Sequence, residues 1–255
     1  MIRFGIAAVV LIAAFGSATA QTRKPKLPPG LDPGGLAIVL LTTGIDYTKP
    51  AVASRLARDG EGDLIGLDTA DAGNRPYAAD GEGTALALAL LATPGIRIIP
   101  VRIDPNHPPS LIAAVKFAAR SPARVVVMPQ LPVDPAQRSQ LLAGLGQFLD
   151  RFFIVPAEIG DATAPKANNV LSLSSTASGS ASSPTADLHL NRVAPSSAMA
   201  VAGFIPALLD CVAAEITKLQ TSSAKLKALI DLLADPALGS KPDSTGGCPV
   251  SAPAR

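Results

Sequence analysis

Residues 77–104 read YAADGEGTALALALLATPGIRIIPVRID. Within them a helical signal gives way to an extended one. Asp80-Gly81-Glu82-Gly83-Thr84 places acidic side chains ahead of an apolar run, where a helix exposes its first N–H groups and stabilises negative charge. From Gly83 to Ala92 the residues after Thr84 are all Ala or Leu. Such a run is apolar on nearly every face and predicts a buried helix. Pro94-Gly95 stops it, and Ile96 to Ile103, rich in Ile and Val, predicts a strand.

The same alternation extends in both directions. Leu36 to Leu41 predicts a buried strand and Asp63 to Leu67 a shorter one. Downstream, Ser110 to Arg120 predicts a helix and Arg124 to Met128 a strand. Asp134 and Pro135 form an N-cap and N1 pair for a helix reaching Leu149. Phe152 to Val155 and Val170 to Leu173 predict two more strands, and Ser172 to Pro184 a mobile Ser/Ala/Gly loop. Ser197 to Gln220 and Ser222 to Leu233 predict the last helices. Strands separated by helices imply an α/β fold, with a mostly parallel sheet covered on both faces.

The chain has 255 residues, enough for one sizeable core. Its formal net charge is +2, so nothing in the balance favours nucleic acid. Aromatics make up 4% and Trp is absent, which leaves no material for stacking platforms. The chain begins with Arg3, an apolar stretch from Phe4 to Phe15, and a small-x-small Ala18-Thr19-Ala20. This is the pattern of a secretory signal peptide cleaved after Ala20, so residues 1–20 are expected to be removed. Residues 21–35, rich in Pro, Gly and Lys, read as a flexible leader. The folded domain is expected over 36–238 and a Gly/Pro/Ser-rich tail over 239–255. No later segment has the length and apolarity of a membrane span, so the mature chain is expected in the periplasm or secreted.

Cys211 and Cys248 are the two cysteines. In an oxidising compartment such a pair implies a bridge. No His or Cys cluster with metal spacing accompanies them, and no Gly-Lys-Ser/Thr phosphate loop occurs. We therefore expect neither metal nor cofactor.

Several motifs fall in one order. Ile38-Val39-Leu40-Leu41-Thr42-Thr43-Gly44-Ile45-Asp46-Tyr47 runs from a strand into a turn, and Pro50 follows. Asp80 to Thr84 heads the apolar helix, and Ile98 to Arg102 lies in the strand behind it. Arg124 to Pro129, Phe153 to Ala157, Asn169 to Leu173 and Ala194 to Leu209 follow. In order and spacing these resemble the subtilisin-like serine peptidases from about Leu36 to Leu219. The resemblance implies a three-layer α/β/α subtilisin-like fold.

It also implies where a catalytic set would stand. That chemistry needs a Ser nucleophile, a His to take its proton, an Asp to orient the His, and a donor for the oxyanion. Thr42 matches the Asp position and Glu82 the His position. Glu158 or Ile159 matches the oxyanion donor; one brings negative charge and the other no donor. Ungapped alignment puts Pro195 at the nucleophile, and a short gap puts Ser197 there. The plainer reading is that Ser196 or Ser197 caps the next helix. Sedolisin relatives use Ser, Glu and Asp, but their partner Asp corresponds here to Leu86.

Other candidates are weaker. His107 sits in a turn-rich Asp-Pro-Asn-His-Pro-Pro, and His189 precedes the Ser pair. Asp59-Gly60-Glu61-Gly62-Asp63 lacks the ligands of a hand-type calcium loop and reads as a solvated turn. Two readings follow. One is a pseudopeptidase whose vestigial cleft holds a peptide or protein segment. The other is an active serine-type hydrolase built from Ser197 with Glu82 or His189.

Overall fold

The computed structural model describes residues 24–79, 81–157, 167–175, 186–190, 194–209, 224–233 and 250–251, without the side chains of 189, 190, 250 and 251. The elements are β1 (Leu36–Thr42), α1 (Pro50–Ala53), β2 (Leu67–Asp68), α2 (Glu82–Leu90), β3 (Ile96–Arg102), α3 (Pro108–Arg120) and β4 (Val125–Val127). They continue with α4 (Pro135–Leu145), β5 (Phe152–Pro156), β6 (Val170–Ser175), β7 (Leu188–Leu190), α5 (Ser197–Leu209), α6 (Ala224–Leu233) and β8 (Val250–Ser251).

The strands form one eight-stranded sheet in the order β2-β3-β1-β4-β5-β6-β7-β8. Every pairing is parallel except β7 with β8, where His189 faces Ser251. Leu36 to Thr42 of β1 run in register with Ile96 to Arg102 of β3. On the other side, Ile38 to Leu40 pair with Val125 to Val127 of β4. Alternation along β1 sends Ile38 and Leu40 into one core and Ala37, Val39 and Leu41 into the other. The first core is closed by Ala87 and Leu90 of α2, Val201, Phe204 and Leu208 of α5, and Leu226 and Leu229 of α6. The second is closed by Leu111, Ala114, Val115 and Ala118 of α3 with Leu142 and Leu145 of α4. These three layers are the architecture the sequence implies.

Local signals account for most boundaries. Asp134 caps α4, its carboxylate accepting from Gln137 N at 2.8 Å, with Pro135 in the first turn. α4 ends at Leu145, short of the expected Leu149. Ser196 caps α5, its hydroxyl accepting from Met199 N at 3.2 Å. α5 is described as far as Leu209; the rest of the long helix expected to Gln220 lies outside the described residues. β2 starts at the end of the expected Asp63–Leu67 strand, and α2 is less enclosed than its composition suggests, since Leu88 is 40% exposed. β6 extends to Ser175, into the segment expected as a loop; residues 176–185 lie outside the described part.

Of the leader expected over 21–35, residues 24–35 are described. Residues 24–35 have no regular secondary structure, yet they are tied down along their length. Lys24 pairs with Asp68 and Asp71, and Pro25 O accepts from Tyr47 Oη at 2.8 Å. Pro28 O accepts from Arg58 Nη2 at 2.7 Å. Asp32 accepts from Arg58 N at 2.8 Å and pairs with Arg97. Leu27 packs on the first core. Pro and Gly exclude helix and strand here; they do not prevent side chains of the body from binding the exposed backbone carbonyls.

Candidate functional site

Every strand from β1 to β7 points the same way, so the sheet has one carboxyl edge. From β1 the chain steps out to β2 at the edge, returns to β3 between β2 and β1, then crosses over β1 to start β4. Strand order therefore reverses between β1 and β4. A crevice opens at the carboxyl ends of strands at such a switch point, the usual ligand site of open α/β sheets. Thr42 ends β1 at this place, and Met128-Pro129-Gln130 leaves β4 beside it. α2 and α5 follow parallel strands, so both start at this edge and pack against each other behind it.

Thr42 is 1% exposed, and its hydroxyl accepts from Gly44 N at 3.2 Å. Gly44 has φ +118, open to glycine and strained for other residues. The turn is pressed onto the head of α2: a Cβ built on Gly83 would stand 1.9 Å from Gly44 O and 3.0 Å from Thr42 Oγ1. Asp46 N donates to Thr84 Oγ1 at 2.8 Å, and Ile45 N donates to Pro76 O at 3.0 Å. Gly83 and Thr84 of the 80–84 motif thus have a packing role that stands whatever residue precedes them.

Glu82 is the exposed first residue of α2. Its carboxylate accepts from Gln130 Nε2 at 3.0 Å, which joins the head of α2 to the segment leaving β4. Gln130 Oε1 is buried without a hydrogen-bond partner. Ser197 heads α5 and is exposed. No hydrogen bond joins Ser197 to Glu82 among the described residues. Pro195 is exposed before the helix, and Ser196 is occupied as its cap. Leu86 is 0% exposed and packs against Ala198 and Ala202 of α5. A carboxylate partner for Glu82 one turn along α2 is therefore replaced by apolar contact.

The remaining candidates divide. His107 is an exposed turn residue before α3. His189 lies on β7, with its side chain outside the described part. Glu158, Ile159, Cys211 and Cys248 also lie outside the described residues. The carboxylates of Asp59, Glu61 and Asp63 are exposed and lie within 4.8 Å of one another. Asp59 Oδ1 already accepts from Glu61 N at 3.0 Å and Asp63 N at 2.9 Å, which makes this a self-bonded turn.

Sequence reading missed two features beside the crevice. Gln130 is one, since nothing in its neighbourhood marks it. The other is an ion cluster at the ends of β2 and β3. Asp68, 0% exposed, pairs with Lys24 and, at 3.2 Å, with Arg102 Nη1. Asp71 pairs with the same two cations. Hydrogen bonds from Lys24 and Arg102 hold the Asp71 carboxyl below its ordinary range. Burial penalises the charge of Arg102, but its bonds to Asp71 and Asp68 outweigh this and raise its pKa. Arg102 Nε also donates to Thr43 O at 3.1 Å, which joins the cluster to the crevice wall.

Comparison with known proteins bears on this arrangement. No protein-family model matches the chain, and no curated protein does. Among solved structures, it is similar to one described as "Crystal structure of a cold adapted subtilisin-like serine proteinase". The TM-score is 0.53 and the identity 16%, over 80% of this chain and 84% of that one. With the sheet order and the two-sided helix packing, this shows that the chain has a subtilisin-like α/β fold.

Proposed function

We propose that the chain is an exported subtilisin-like domain that acts in binding or scaffolding, a pseudopeptidase whose crevice holds a peptide or protein segment. The observation that carries the reading is the head of α2. A carboxylate, Glu82, stands where the resemblance requires an imidazole, and it is engaged by Gln130. Behind it, the neutral Thr42 hydroxyl is spent on Gly44 N and offers no charge to stabilise a protonated base. Triad members act as a unit, so losing base and orienter together removes most of the activation of any serine nearby. An oxyanion position filled by Glu158 or Ile159 would cost roughly a further 100–1,000-fold. A peptide groove needs backbone groups, and these do not depend on the triad. Export rests on the N-terminal signal pattern. Among the described residues, no helix is long and apolar enough to cross a membrane.

The test pairs chemistry with binding. Purified protein is treated with a fluorophosphonate probe and with an unstructured protein, reduced and alkylated casein, at acid and neutral pH. The expected result is no covalent label and no cleavage, with measurable casein-peptide binding. Labelling at Ser197 that Ser197→Ala abolishes, together with cleavage, would establish the hydrolase reading instead. Glu82→Ala and His189→Ala would then identify its base.

A further inference from the structure

The ion cluster that fastens the N-terminal strap also touches the crevice. Asp68 is fully buried and Asp71 half exposed, and two cations reach both of them, Lys24 from the strap and Arg102 from β3. Asp68 Oδ1 accepts from Ala70 N and Asp71 N, which fixes the carboxylate in place. Arg102 spends its Nη1 on the aspartates and its Nε on Thr43 O, the residue after Thr42. Its Cδ lies 3.0 Å from where a Cβ on Gly44 would stand. Arg102 therefore forms one wall of the turn that closes the crevice, and its own position depends on how two carboxylates are shared. With Lys24 present, two cations face two anions. Without it, two carboxylates share the charge of Arg102, with two backbone N–H groups on Asp68, an imbalance of charge that burial of Asp68 penalises. Next along the strap, Pro25 O holds Tyr47 Oη, on the far side of the same turn. The strap thus grips both flanks of residues 42–47.

We propose that Lys24 is a positioning residue for the crevice, and that the N-terminal strap sets the 42–47 turn by holding Arg102 through Asp68 and Asp71. The functional consequence rests on the reading of the crevice as a binding cleft; the conformational one does not. The other end of the strap is held elsewhere, by Asp32 on Arg58 N and on Arg97 near the start of β3.

The experiment is hydrogen exchange by mass spectrometry on the full exported chain, with casein-peptide affinity measured on the same samples. Lys24→Met should speed exchange of the amides of 44–47 about tenfold, as a local opening, while strand amides of β4 and β5 stay unchanged. Lys24→Arg should restore it. Asp32→Asn should loosen residues 28–35 and leave 44–47 alone. If Lys24→Met lowers overall stability but leaves the relative protection of 44–47 unchanged, Lys24 is merely structural and the proposal fails. Should Lys24→Met not fold, Arg102→Lys, which keeps the charge but loses the Nε contact to Thr43, decides the question through exchange at 44–47: faster exchange there supports the latch, and unchanged exchange overturns it. If the unsubstituted chain binds no peptide, the binding-cleft reading fails while exchange still decides the latch. If it binds and Lys24→Met opens the turn with unchanged affinity, the role of the latch in binding is overturned.

Discussion

At the scale of single residues, the 80–84 motif separates packing from chemistry. Gly83 and Thr84 hold the turn at Gly44 and Asp46 against α2, and those contacts do not involve the side chain of Glu82. A methyl group at Gly83 would collide with a backbone carbonyl, which cannot move aside as a flexible side chain could. Gly83→Ala should therefore destabilise by about 3 kcal/mol, near the upper end for overpacking. That corresponds to a Tm lower by about 6–12 °C in a chain of this size. Urea unfolding checks it, with a lower midpoint and an unchanged slope expected; a midpoint within error of wild type would show that the contact relaxes freely. This separation explains why the site was legible in part. Gly83 and Thr84 pack the turn onto α2, which ties the motif to the fold, and Thr42 and Glu82 lie at that contact. Gln130 could not be placed, because its partner is set by strand order and not by neighbours in sequence. Ser196 as a helix cap was legible because capping is local chemistry.

At the scale of elements, periodicity located the long strands and helices, and composition gave the leader's lack of regular structure without its contacts. A Pro/Gly-rich run predicts the absence of helix and strand, and that is what 24–35 shows. Whether such a run hangs free depends on Tyr47, Arg58, Asp68 and Arg97, which come from elsewhere in the chain. Alternation likewise missed β7, because three residues with polar neighbours carry too little signal. The strap has a signature in acid. Hydrogen bonds from Lys24 and Arg102 lower the pKa of Asp71 below its usual 3.8. For Asp32, burial opposes ionisation, but hydrogen bonds from Arg58 N and Gly34 N and the Arg97 guanidinium prevail, and its pKa also falls below 3.8. A depressed carboxylate contributes stability that is present above its unfolded pKa and lost as pH falls through its folded one. The stability gap between wild type and Lys24→Met should thus be constant from pH 7 to about 5 and shrink below about 4. Urea midpoints at pH 7, 5, 4 and 3 test this. A gap that holds steady to pH 3 would mean that the Lys24–Asp71 pair contributes nothing.

At the scale of the whole molecule, the sheet is parallel until its last strand, and the exception bears on the two cysteines. β8 is antiparallel to β7, with Leu190 opposite Val250, so the chain returns at its C-terminal end to cover what would otherwise be an open edge. α5 packs against β8. Cys211 follows the last described residue of α5 by two positions, and Cys248 precedes β8 by two. We expect them to be joined on the proposal that the chain is exported, since the signal pattern implies an oxidising compartment. A two-residue edge strand has few hydrogen bonds of its own to hold it, and the stretch before it is rich in Gly, Pro and Ser. Closing the loop from 211 to 248 would stabilise the fold by about 4 kcal/mol, mainly by restricting the unfolded chain. Alkylation of exported protein without reductant, followed by intact mass, should find both thiols blocked. Cys211→Ser should lower the Tm by about 8–16 °C, and Cys248→Ser should match it, because either change opens the same loop. Joint Cys211→Ser and Cys248→Ser should cost no more than one alone, since the two act as one bond. Two free thiols in exported material, or single losses that add, would show that the tail is held by contacts of β8 alone.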